Sequence, residues 1–376
     1  MINSKTGLPP SRNVVRRQLS VVVVSVIALS LGSCSTNAPS KTLDSQAPSS
    51  PTPTTNHELQ VVTTFLPITQ FTKAVAGDRA EVTPLLPANV SPHEYQAKPE
   101  DVQKLGKADV LVKNGLEMEN FLEDIVKNAA NDNLKVIDSS SGVQTIATEV
   151  IEGKTHGHDH DHKHDHEHGE KSGHSHQHGK YNPHIWLDPK RAIQQVENIR
   201  DGLILADPAG KDVYTANATA YIQKLRDLDT ETTRILKPYA GKTFVAFHDF
   251  APYFAESYNL KATFLVDVPE ENPSPDDVKR VMDTVKATNL QTLLTEPQVG
   301  QDGFTSLARD LNVRVSTFDP LETGTPDALQ PDYYLSTMRK NVTALVGAFT
   351  KQSTQSFLPL WTPPMAVISQ SVGVRF

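Results

Sequence analysis

From Glu58 onward, short β-branched runs take turns with helical ones, and this alternation restricts the folds open to the chain. "LQVVTTF" reads as a strand and "PITQFTKAVAGD" as a helix closed by Gly77. "AEVTPLL" is the next strand, "KPEDVQKLGKA" a helix, "DVLVKNG" a strand, "MENFLEDIVKNAA" a helix and "LKVIDSS" a strand. After an insertion, "DPKRAIQQVENIRDGLILAD" is helical. The long polar stretch "PAGKDVYTANATAYIQKLRDLDTETTRILKPY" follows, with Val213, Tyr221, Leu225, Leu228 and Ile235 at near-helical spacing. Alternation then resumes. "KTFVAFH" and "LKATFLVD" are strands around the helix "DFAPYFAESYN". "SPDDVKRVMDTVKATN" is a helix capped by Ser274 and Asp277, with Pro275 in its first turn. "LQTLLTE" and "VRVSTF" are strands, and "PDYYLSTMRKNVTALVGAF" closes as a helix. Strand–helix alternation of this kind predicts an α/β protein with parallel sheets covered on both faces. The expected layout is an N-terminal α/β lobe over residues 58–190, a helical linker over 191–240 and a C-terminal α/β lobe over 241–350. Residues 351–376 show no clear period and are expected to form a loose tail.

The N-terminus reads as a processing signal. Arg12, Arg16 and Arg17 precede the apolar run "LSVVVVSVIALSLGSC", which falls short of the about 20 apolar residues of a comfortable span. It ends at Cys34, the only cysteine, behind a pair of small residues, a pattern that resembles a bacterial lipoprotein box. Residues 1–33 are therefore expected to be removed and Cys34 to be lipidated, placing the protein at the cell envelope on the extracytoplasmic side. Residues 34–57, rich in Ser, Thr and Pro, read as a flexible tether that includes His57. Loss of the signal removes four basic residues and no acidic ones from a chain of formal net charge −8. So acidic a chain is a poor partner for nucleic acid or an anionic membrane surface.

Eleven of the fourteen histidines fall between His156 and His184. Ten of them, His156, His158, His160, His162, His164, His166, His168, His174, His176 and His178, alternate with Asp, Glu, Gly and Lys in a segment without an apolar anchor. Residues 155–180 are expected to be a mobile surface loop offering several weak, exchangeable metal sites, since each ion bound must order flexible chain. The eleventh, His184, sits in "NPHIWLDP". His93 lies in "NVSPHEY" after the strand "AEVTPLL", His248 ends "KTFVAFH", and Asp319 follows "VRVSTF". Ligands in open α/β sheets gather beyond the carboxyl ends of strands. Three imidazoles and a carboxylate there suit a tetrahedral zinc site.

The segments "PHEYQAKPED", "NPHIWLDP", "FHDFAPYFAESYNL" and "FDPLE" resemble those of the metal-specific solute-binding proteins of bacterial ABC importers, and among them the zinc receptors of the ZnuA type. The resemblance covers about residues 58 to 350. It implies two Rossmann-like lobes joined by one long rigid helix, with the metal between them. It also implies capture of Zn²⁺ outside the cytoplasm, as cargo, and its delivery to an ABC permease by a monomeric receptor. In that family the zinc receptors carry histidine at the third position, where manganese receptors carry a carboxylate, so His248 points to zinc. The implied ligands are His93, His184, His248 and Asp319, with water as an alternative fourth ligand. Glu296, which ends "LQTLLTE", is a weaker fourth candidate and better suited to support a ligand. Glu94 and Asp249 are expected to orient neighbouring groups, and Trp186 to serve packing. Manganese or another divalent ion, or an adhesin role, remains open within the same family. A zinc hydrolase fits less well, because no H-E-x-x-H pattern or dedicated base accompanies the histidines.

Overall fold

Strand β1, Leu59–Thr63, carries its Val61 and Val62 into the core, and two other strands lie parallel on either side of it. The computed structural model describes residues 58–148, 179–268, 272–299 and 302–350. Around β1 stand β2 (Ala80–Pro84), β3 (Val110–Lys113) and β4 (Lys135–Asp138), in the order β2-β1-β3-β4, all parallel. The crossovers are α1 (Leu66–Ala76), α2 (Pro99–Leu105) and α3 (Leu122–Asn128). Helix α1 is almost wholly buried, with Ile68, Phe71 and Val75 inside, and it ends at Gly77, whose φ of 54° suits a residue without a Cβ.

A second four-stranded parallel sheet repeats the plan. Strands β5 (Thr243–His248), β6 (Lys261–Val266), β7 (Thr292–Thr295) and β8 (Arg314–Thr317) lie in the order β6-β5-β7-β8. Helix α6 (Pro252–Ser257), numbered after the two long helices below, joins β5 to β6. Helix α7 (Pro275–Thr288) has the predicted cap, with the Ser274 hydroxyl accepting from the Asp277 N–H and the Asp277 carboxylate accepting from the Ser274 N–H. Helix α8 (Asp302–Leu311) was not anticipated from the sequence. Its existence follows from the pairing, because β7 and β8 are parallel neighbours and require a crossover.

Between the sheets in sequence run α4 (Pro189–Ala206) and α5 (Lys211–Leu236). Asp188 caps α4 through the Lys190 N–H, and Pro189 opens its first turn. Helix α4 packs on β3, β4 and α1, while α5 packs on α4 and α1 and also on α9 (Pro331–Thr350), the last described helix. On α5, Tyr214, Tyr221, Leu225 and Leu228 are buried, as is Leu236. Val213, expected on the apolar face, is 44% exposed, and the neighbouring Tyr214 takes its place in the core. Tyr214 also donates to Asp207, which a bidentate contact from Arg79 holds below the usual carboxylate range.

One buried apolar cluster reaches from Val61 and Phe71 through Trp186, Leu225 and Phe254 to Tyr334 and Leu345, so it draws on both sheets and on α5 and α9. A smaller one, with Val245, Leu265, Val281 and Phe304, lies beneath α7 and α8. Among the described residues, no helix is long and apolar enough to cross a membrane. The predicted signal, Cys34, the tether with His57, the ten histidines from His156 to His178, and residues 351–376 lie outside the described residues.

Candidate metal centre

Each lobe supplies two donors at the carboxyl side of its sheet. His93 lies on the loop between β2 and α2. Its backbone N–H donates to Ser91 Oγ at 3.3 Å, and further on Tyr95 donates to the buried Asp101 that opens α2. His184 precedes a short 3₁₀ turn, Ile185–Leu187, that leads into α4. Asn182 sets its ring, with Oδ1 2.9 Å from His184 Nδ1 and 3.1 Å from the His184 backbone nitrogen. The Asn182 amide is fixed in turn by donating to the Asp249 carbonyl at 2.7 Å and to its carboxylate at 3.0 Å. His248 is the last residue of β5, and Glu296 stands just beyond the neighbouring β7. Glu296 Oε1 accepts the His248 backbone N–H at 2.9 Å, and both its oxygens lie 2.7 Å from His248 Nδ1. Both rings therefore turn Nε2 inward. A carboxylate or amide behind an imidazole fixes its orientation and tautomer, as outer partners do at metal sites.

Glu322, on the loop after β8, completes the cluster. Its Oε1 lies 2.9 Å from His184 Nε2, 3.1 Å from His93 Nε2 and 3.3 Å from His248 Nε2. The four donor atoms all fall within 4.8 Å of one another. The side chains of His184, His248 and Glu322 are fully buried, whereas that of His93 keeps 7% exposure, so the cluster meets solvent on the His93 side.

Burial and charge act in opposite directions on the cluster. Burial pushes the His184 imidazole down to about 3, against the pull of Glu322. Burial also works against a charged His248, but Glu296 and Glu322 outweigh it and hold that ring well above its ordinary value. Glu322 resists protonation in spite of burial because His248 and His93 face it. A neutral imidazole and an ionised carboxylate are the forms that bind a cation, so a metal ion has to displace the proton that Glu296 and Glu322 favour on His248. Three nitrogens and one oxygen converging at this spacing make a donor set suited to a four-coordinate zinc ion.

Of the residues singled out in the sequence, the structure brings His93, His184 and His248 together and leaves Asp319 out. The Asp319 carboxylate turns back on its own loop and accepts the Leu321 N–H at 2.8 Å, while Asn341 holds the Asp319 backbone at 2.8 and 2.7 Å. Leu321 adopts a left-handed φ of 64°, unusual for a branched side chain, and this turn delivers Glu322 to the imidazoles. Asp319 is thus a turn residue, and burial pushes its carboxyl up to about 6. The loop is tied to the first lobe by Trp186 Nε1 on Pro320 O at 2.8 Å, Gly324 N on Ala88 O at 2.6 Å and Gln70 Nε2 on Ala328 O at 2.5 Å. Trp186 therefore packs, edge-on to Phe65 and beside His184, and also anchors the loop of Glu322. Glu296 supports His248 from behind and Asp249 supports His184 through Asn182, while Glu94 is exposed and outside the cluster. The sequence held one clue to Glu322: it lies in the same "FDPLE" segment, three residues after an aspartate adjoining proline, a setting typical of a turn.

The family model of ZnuA, the zinc-uptake complex component A, periplasmic, matches residues 61–348. The zinc-binding lipoprotein AdcA of Streptococcus pneumoniae (strain ATCC BAA-255 / R6) is 31% identical over 358 residues, which are 95% of this chain and 65% of that protein. The chain thus spans less than two thirds of that relative's length. The manganese-binding lipoprotein MntA of Halalkalibacterium halodurans is 28% identical, over 78% of this chain and 89% of its own. Among solved structures, the Zn(II)-bound ZnuA-like domain of Streptococcus pneumoniae AdcA superposes with a TM-score of 0.61 at 30% identity, covering 77% of this chain and 98% of that one. The family match runs through both sheets and includes all four converging side chains, and on that ground the chain belongs to the ZnuA family.

Proposed function

We propose that this protein is an extracytoplasmic receptor that captures Zn²⁺ between its lobes and hands it to an ABC permease for import. The observation that carries the reading is the convergence of His93, His184, His248 and Glu322 in a buried pocket, with an imidazole behind-partner already in place at His184 and His248. Zinc is cargo here. His93 and His184 would hold it from the first lobe, and His248 and Glu322 from the second. Similarity to zinc-binding AdcA proteins and to a zinc-bound AdcA domain supports the reading. The lipid anchor at Cys34, the tether and the His-rich segment as a local zinc reservoir belong to the same proposal, as does action as a monomer.

A manganese receptor is the second reading, since a manganese-binding relative matches over most of the chain. The donor set disfavours it, because three imidazoles with a single carboxylate suit Zn²⁺ better than Mn²⁺. Exposing the purified protein to equal Zn²⁺ and Mn²⁺, then removing loosely held metal and measuring metal content, separates the two. The expected result is one tightly held zinc per chain. Retention of manganese instead would favour the second reading.

A further inference from the structure

We propose that Gln298 is a positioning residue that keeps Glu322 a one-oxygen ligand and so biases the centre toward four-coordinate zinc over manganese; this rests on the zinc-receptor reading above. Glu322 presents Oε1 to all three imidazoles, while its Oε2 accepts from Gln298 Nε2 at 3.3 Å. The same amide nitrogen donates to Glu296 Oε2 at 2.6 Å. Gln298 therefore bridges two fully buried carboxylates, one a proposed ligand and the other the group that fixes His248.

The amide cannot turn over without cost to that bridge. With Oε1 in place of Nε2, a carbonyl oxygen would face two carboxylates and no donor would remain between them. The retained orientation leaves Gln298 Oε1 buried without a hydrogen-bond partner among the described residues. A buried acceptor left unsatisfied is unfavourable, so the contacts made by Nε2 are the ones the fold maintains. The chain His248–Glu296–Gln298–Glu322 links two donors of the second lobe through two side chains.

The consequence is one of coordination number. For Glu322 to bind an ion through both oxygens, Oε2 would have to give up Gln298 Nε2 for the ion. Held as it is, it offers one oxygen, and with three nitrogens the set closes at four. Zinc accepts four tetrahedral ligands, whereas manganese favours more oxygen donors and a larger shell. Gln298 makes no hydrogen bond to any of the three imidazoles and acts through the carboxylates.

The test uses the full chain, with the variants Gln298→Met, which preserves bulk without a donor, and Gln298→Ala. Co²⁺ serves as the probe of geometry, since its visible absorption is intense when four-coordinate and weak when the shell expands. Zn²⁺ and Mn²⁺ affinities are measured by competition with a chelator. The expected result is intense four-coordinate Co²⁺ bands in the parent protein, weakened in both variants, and a ratio of Mn²⁺ to Zn²⁺ affinity raised about tenfold or more. Should the Met variant not fold by circular dichroism, the Ala variant gives the same readout. An unchanged cobalt spectrum and ratio, or an equal loss of both metals, would overturn the role of Gln298. Failure of the parent itself to take up Co²⁺ or Zn²⁺ at one tight site would instead remove the receptor reading, and this inference with it.

Discussion

The Nε2 atoms of His184 and His248 stand 3.2 Å apart, one brought from the first lobe and the other from the end of β5 in the second. Each ring is pinned from behind, His184 by Asn182 and His248 by Glu296. An ion seated between them would join the lobes through bonds as well as through packing. Whatever binds the folded protein alone stabilises it, by about 4 kcal/mol at a thousandfold excess over Kd.

His184→Ala and His248→Ala are therefore expected to remove most of the zinc-induced rise in melting temperature. Each takes a nitrogen from a set of four and leaves Glu322 with fewer partners. Thermal unfolding with and without Zn²⁺ measures this, and a full rise in both variants would refute the ligand set.

The two acids of "FDPLE" should behave oppositely. Glu322→Gln replaces the one anionic donor of the cluster, and zinc affinity is expected to fall by tenfold or more. Asp319→Asn preserves a side-chain oxygen able to accept the Leu321 N–H, so the turn and the affinity should survive. Chelator competition on both variants decides the matter; an affinity loss in the asparagine variant as large as in the glutamine variant would return Asp319 to the ligand set.

These two acids also show what the sequence discloses and what it withholds. His93, His184 and His248 were legible because each stands in a distinctive segment beside a strand end, where α/β sheets gather their ligands. Glu322 was hidden because the choice between two nearby carboxylates depends on Leu321 adopting a left-handed φ, which no propensity favours for leucine. The order of both sheets is not readable from alternation alone, and α8 lies outside the helices that the sequence pattern predicts, although parallel strands on either side demand it. On α5 the buried stripe starts one residue later than the sequence spacing predicts. Val213 is exposed, whereas Tyr214 is buried and its hydroxyl donates to Asp207, a bond valine cannot make.

Asp319 carries a pH signature of its own. Its folded-state pKa of about 6 lies above the ordinary value of 3.8, since burial penalises the charged form. The folded protein then binds more protons than the unfolded one between those values, so stability falls as pH rises through the interval. This contribution is fully present below about pH 4 and lost above about pH 6. Asp319→Asn abolishes the titration. Relative to the parent, the variant should gain on the order of 1–2 kcal/mol at pH 8 compared with pH 4, a figure reduced from the full shift because the side chain is only partly buried. Urea unfolding without metal at the two pH values provides the measurement. An equal difference between parent and variant at both would contradict the assignment.

The His-rich segment can be separated from the centre because its two ends meet. Thr148 N–H donates to the Lys180 carbonyl at 3.2 Å, the Thr148 hydroxyl to the Gly179 carbonyl at 2.7 Å, and Ala147 bridges Tyr181 in antiparallel fashion. Just inside that neck, Tyr253 donates to the Asn182 carbonyl at 2.6 Å and accepts the Ile146 N–H at 3.0 Å. Replacing residues 151–178 by a short Gly/Ser bridge therefore spans a gap whose described flanks, Thr148 and Gly179, already touch. The neck stays intact, with Asn182 still behind His184, and the four converging side chains are untouched. The fold and one tight zinc site should survive, while total zinc bound at saturation should fall from several ions per chain to one. Titration of Zn²⁺ against a competing chelator, in the parent and in the deletion variant, reads both quantities. Loss of the tight site together with the segment would place the receptor site among its ten histidines, and the reading of His93, His184, His248 and Glu322 as the zinc ligands would have to be given up.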